Sequence, residues 1–207
     1  MELQLSEAES RVLGSLLEKE FSTPEYYPLS LNALVNACNQ KSNREPVVSY
    51  GEQEVLDAIE GLRQKKLLFQ SNAARVPKYE ETFLAAHNFI GSEASILAEL
   101  MLRGPQTPAE LRARTERMHT FTPEDFTKTL GKLESYGYIM LLERQPGRKE
   151  PRYAHMLAGS AATTASQAES GQAAPAATSP LQEKIDRLQR ELAELKQAFI
   201  DFKRQFD

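Results

Sequence analysis

At 207 residues and 41% hydrophobic content, the chain can build two small cores or one medium one. A formal charge of −4 excludes a protein that coats nucleic acid indiscriminately, while leaving room for a local basic patch. No apolar run is long enough to cross a bilayer, and the N-terminus MELQLSEAES has neither the charge nor the apolar core of a signal peptide, so the chain reads as cytoplasmic with no membrane partner.

In chain order, Ser6 and Glu9 form a capping box, and Val12, Leu13, Leu16 and Leu17 give one apolar stripe, which predicts a helix over residues 5–20. Thr23, Pro24 and Pro28 then break the chain. Ser30 can cap a second helix whose buried face carries Leu31, Leu34, Val35 and Cys38. On that face the single Cys38 reads as a small core residue rather than a nucleophile. Residues 39–45 (NQKSNRE) are an unbroken polar run, expected at the surface, and Pro46 makes the run a turn between helices. Ser49-Tyr50-Gly51-Glu52 reads as a further capping box, followed by the stripe Val55, Leu56, Ile59 and Leu62, ending near Lys66. Residues 67–69 and 76–82 read as strands joined by a turn over 71–75. Three helices followed by a hairpin is the order of a winged helix.

The run TPEYYPLSLNALVNACNQKSNREPVV resembles the signature of the YceH-like family of uncharacterised bacterial proteins, and the likeness runs from about Leu5 to Met156. The resemblance implies a pair of winged-helix domains with no agreed activity. It also implies a glycine near the tip of the first wing, where this chain has Asn72, Ala73 and Ala74.

The order of elements then recurs. Val12, Leu13, Leu16, Leu17, Thr23 and Pro24 return 84 residues later as Ile96, Leu97, Leu100, Met101, Thr107 and Pro108. Glu54, Val55, Ile59, Leu62 and Leu67 return 71 residues later as Asp125, Phe126, Leu130, Leu133 and Tyr138, and Pro77-Lys78-Tyr79 returns as Pro151-Arg152-Tyr153. Thr107 and Thr122 each place a capping oxygen before a proline at the first helical position. The second copy lacks most of the polar turn, and that asymmetry suggests that the turn has a job.

Residues 159–180, rich in Ala and Ser, bury little and read as a flexible linker. Beyond them Leu181, Ile185, Leu188, Leu192, Leu195, Phe199, Phe202 and Phe206 alternate steps of four and three, the period of a coiled coil. The expected architecture is therefore mainly α with small β hairpins: a first winged-helix domain over 1–85, a second over 86–158, the linker, and a coiled-coil helix over 181–207 that pairs two copies into a homodimer or, since three phenylalanines are bulky for a two-stranded seam, docks on the chain's own domains.

His87, His119 and His155 are scattered away from metal-ligand spacing, no glycine loop cradles phosphate, and the carboxylates gather in helix first turns. No catalytic residue, metal or cofactor is expected. From Arg103 to Tyr153 ten Lys and Arg face seven Asp and Glu, a local cationic excess in an acidic protein. The expected function is regulatory binding of double-stranded DNA. Lys41, Arg44, Arg144, Arg148, Lys149 and Arg152 would grip phosphates, with Arg112, Arg114 and Arg117 adding to the patch, and Asn39, Gln40 and Asn43 could reach base edges. Against this, the third helices begin Gly51-Glu52-Gln53-Glu54 and Pro123-Glu124-Asp125, and carboxylates there would repel the groove. The alternative is an adaptor in which the polar turn holds a protein partner.

Overall fold

In a computed structural model, the structure describes residues 3–144 and 150–157. The predicted linker, the coiled-coil helix with its eight apolar positions, and the wing-tip residues Arg148 and Lys149 lie outside the described residues. Within them the protein is mainly helical with small antiparallel strand pairs.

The first run of elements is α1 (Glu7–Ser22), a 3-10 turn (Pro24–Tyr26), β1 (Leu29–Ser30), α2 (Leu31–Cys38), α3 (Glu52–Gln64), β2 (Leu68–Ser71) and β3 (Lys78–Glu81). Ser6 caps α1 as expected: its hydroxyl accepts the Glu9 N–H at 3.1 Å and Glu9 accepts the Ser6 N–H at 2.7 Å. Ser30 accepts the Ala33 N–H at the start of α2. The start of α3 differs from expectation. Its N-cap is Gly51, whose N–H donates to the Glu54 carboxylate at 2.8 Å, and Ser49 takes no part. Asn39 holds both backbone groups of Tyr50, just before this cap.

β3 pairs antiparallel with β2 on one side, Leu68 opposite Glu81, and with β1 on the other, Leu29 opposite Tyr79. The hairpin turn needs no glycine, because none of Asn72, Ala73 or Ala74 has a positive φ. Gln70 instead donates to the Asn72 side chain across the bend.

A short helix absent from the sequence reading, α4 (Phe83–His87), leads into α5 (Gly91–Arg103), α6 (Pro108–Thr115), α7 (Pro123–Ser135), β4 (Ile139–Leu141) and β5 (Tyr153–His155). The second run repeats the first down to details the apolar pattern does not carry. Glu9 and Glu93 both stand third in their helices and both meet a lysine at or near the end of the third helix, Lys65 just past α3 and Lys132 within α7. Gln106 bridges Tyr153 as Leu29 pairs with Tyr79. One expected equivalence is corrected: Thr107 caps α6, the counterpart of α2 and its cap Ser30, whereas Thr23 only precedes the 3-10 turn.

Residues 9–18 of α1 and 92–102 of α5 are buried without interruption, so neither helix keeps a solvent face there. Each packs on the other more extensively than on any other element. At their crossing a Cβ on Gly14 would stand 2.9 Å from the Met101 Cβ. Leu13, Leu16 and Leu17 thereby join Ile96, Leu97 and Leu100 in one continuous core.

Candidate binding surfaces and a buried ion network

The polar segment after α2 has a job, and the job is internal. Asn39 donates to the Tyr50 carbonyl and accepts the Tyr50 N–H, both at 2.8 Å, which closes the loop at its neck. Asn43 sits at a φ of 60°, in the left-handed region that asparagine tolerates better than most residues. Its carbonyl accepts from Arg44 and its side-chain oxygen from Arg103 of α5. The next residue, Glu45, donates its N–H to the Leu102 carbonyl at 2.9 Å. Arg11 of α1 reaches the Pro46 carbonyl at 2.7 Å. The loop is thus fastened to α1 and to the end of α5.

The expectation that the whole run lies at the surface is corrected at Arg44. Its side chain has no accessible surface; it forks onto Glu18 at 3.1 and 2.5 Å and donates to the Ala37 carbonyl at 3.0 and 2.8 Å. A guanidinium so committed has no donors left for a phosphate. Glu18, fully buried, also meets Arg117, which reaches on to Glu99 at 2.6 Å. Arg103 Nε lies 3.1 Å from the other oxygen of Glu99. Two buried carboxylates and three arginines from α1, the loop, α5 and the turn after α6 therefore form one chain of charges. Burial alone would raise the Glu18 carboxyl, but the bonds and charge of Arg44, with Arg117, hold it below the usual carboxylate range. Burial would lower Arg117, yet Glu18 and Glu99 hold it above its ordinary value.

The remaining candidates divide. Gln40 accepts from Lys19 at 3.4 Å, while Lys41 is exposed. Arg114 donates to Gln106 at 2.5 Å, and Arg152 to the Pro105 carbonyl at 2.8 Å while lying 3.3 Å from Glu110. Arg112 and Arg144 are exposed and form no ion pair with the described residues. Arg112 borders a shallow groove of about 330 Å³ along α6, floored by Ala109, Ala113 and Phe121. Among the described residues, the basic patch is therefore smaller than a count of charges suggests.

The third helices face outward as acids. Glu52, Glu54, Asp57 and Glu60 of α3 are exposed, as are Glu124 and Asp125 at the start of α7. Among the described residues no group of three His, Cys, Asp or Glu could hold a metal ion. No helix among them is long and apolar enough to cross a membrane. Cys38 is buried, and burial pushes its thiol up to about 11, which suits a core residue. His87 is engaged with the Tyr138 hydroxyl at 2.6 Å inside a cluster of Phe83 and Phe89.

Comparison with known proteins bears on what these surfaces belong to. The model of a family described as a protein of unknown function, DUF480, matches residues 5–148. A UPF0502 protein of Solibacter usitatus is 49% identical over the full length of both chains. One of Geotalea daltonii is 47% identical over 92% of this chain and 89% of its own. One of Geobacter sulfurreducens is 52% identical over 77% and 74%.

Proposed function

The chain belongs to the DUF480 family of proteins of unknown function, and from that premise we propose a non-enzymatic adaptor whose two winged-helix modules bind a protein partner through the acidic face of α3. The observation that supports this most is the exposure of Glu52, Glu54, Asp57 and Glu60 on the helix that would otherwise enter a major groove. The loop beside that helix offsets them only with the exposed Lys41, since Arg44 points inward, and on α3 itself Arg63 pairs with Glu60 at 2.9 Å while Glu52, Glu54 and Asp57 form no ion pair with the described residues. Such a face repels a phosphate backbone and attracts a basic segment of another protein.

The second reading, regulatory binding of double-stranded DNA, draws on Arg112 and Arg144, exposed on the second module. One titration separates the two. Labelled protein is mixed with random duplex DNA, and separately with a lysine- and arginine-rich peptide, at about 50 and about 200 mM salt. The adaptor reading expects the peptide to bind at low salt and Asp57→Lys with Glu60→Lys to abolish that binding, with the duplex inert. Salt-steep binding of the duplex that Arg112→Ala and Arg144→Ala weaken would install the DNA reading. The heptad stripe over 181–207 would pair two copies of the chain, so that a homodimer presents the α3 face twice.

A further inference from the structure

Two residues beyond the Glu18 of the ion network, on the last turn of α1, a second set of carboxyl groups gathers without a cation among the described residues. Glu20 sits in the last turn of α1, which packs on β3, where Glu80 and Glu81 stand side by side. Glu20 Oε2 is buried and meets no hydrogen-bond donor among the described residues. The Glu81 carboxylate accepts the Leu84 N–H at 2.9 Å, and the Glu81 N–H donates to the Tyr27 hydroxyl at 2.6 Å. None of the three acids forms an ion pair with the described residues, and Tyr27 stands against all three. Two ionised carboxylates can only accept, so their contact is repulsive. With one proton between them, the same contact is a hydrogen bond.

We propose that a proton held between the Glu20 and Glu81 carboxyl groups latches the β2–β3 hairpin to α1, and that its loss loosens the hairpin. Burial first, then the charges of Glu81 and Glu80, push Glu20 up to about 7; burial also pushes Glu81 and Tyr27 up. Because the folded carboxyl holds its proton more tightly than the unfolded one, the latch is complete below the ordinary carboxylate range. It is lost as pH rises through about 7. The second run of elements lacks this arrangement: the place of Glu20 is taken by Gly104 and that of Glu81 by His155.

The test uses the full chain and Glu20→Gln, whose amide donates to Glu81 as the protonated acid does and cannot ionise. The midpoint of thermal unfolding of the wild type should fall between about pH 6 and about pH 8 relative to that of Glu20→Gln, because unfolding releases the held proton. Infrared difference spectra of the wild type should show a protonated-carboxyl band at about pH 6 that disappears by about pH 8 and is absent from Glu20→Gln. Parallel unfolding curves for the two proteins, or a wild type without that band, overturn the proposal. So does a Glu20→Gln chain that fails to fold while Glu81→Gln, which offers the amide from the other side, fails with it.

Discussion

A guanidinium taken into a protein interior carries five N–H donors that must all find acceptors, and Arg44 finds them in Glu18, Ala37 and Asn43. Removing it would strand Glu18 as a buried carboxylate with only Arg117 and Lys19 near it. Arg44→Ala should therefore destabilise the fold by about 3–5 kcal/mol, read from the midpoint of urea unfolding. Arg44→Ala that leaves the midpoint unmoved would mean that the network contributes no net stability. This residue was not legible beforehand. A stretch of polar letters does not distinguish a solvated arginine from one whose carboxylate lies 26 positions earlier in the chain. Cys38 was legible, because the step from Leu34 repeats the helical period and nothing polar interrupts the stripe.

Among elements, the pairing of α1 with α5 depends on how closely two backbones approach. At Gly14 a methyl group would overlap the Met101 Cβ and crowd Leu102, on a helix with no exposed side toward which to shift. Gly14→Ala should cost about 1–3 kcal/mol despite the better helix propensity of alanine, measured by urea unfolding; a neutral or stabilising result would show that the helices can part. The caps at Ser6, Ser30, Thr107 and Thr122 were readable because an N-cap is a local contract between a side chain and amides two or three residues away. The start of α3 was misread, and Asn39 reaches across eleven residues to fix Tyr50 beside it, a bond that no local window contains. The short α4 has no apolar period long enough to announce it.

For the whole molecule, recurrence of the apolar ladder pointed to the mainly helical order with small strand pairs, since two copies of one pattern call for two copies of one set of elements. What joins the copies was hidden. The helices that open each run are buried on more than the stripe first counted, with Ser10, Ser15, Ser92 and Ser95 also inside, and small polar letters mask an all-round contact. On the proposed assembly, the full chain should sediment as a dimer, and Leu192→Lys with Leu195→Lys should halve its mass without moving its unfolding midpoint. An unchanged mass would leave the stripe to some other purpose.

The burial of α1 and α5 also bears on whether either half could be cut free. A fragment ending before α5 would bare the α5-facing side of residues 9–18 of α1 to water and leave the bonds of Asn43 and Glu45 without their donor and acceptor on α5, so severing the chain between the two runs exposes a greasy seam on both pieces.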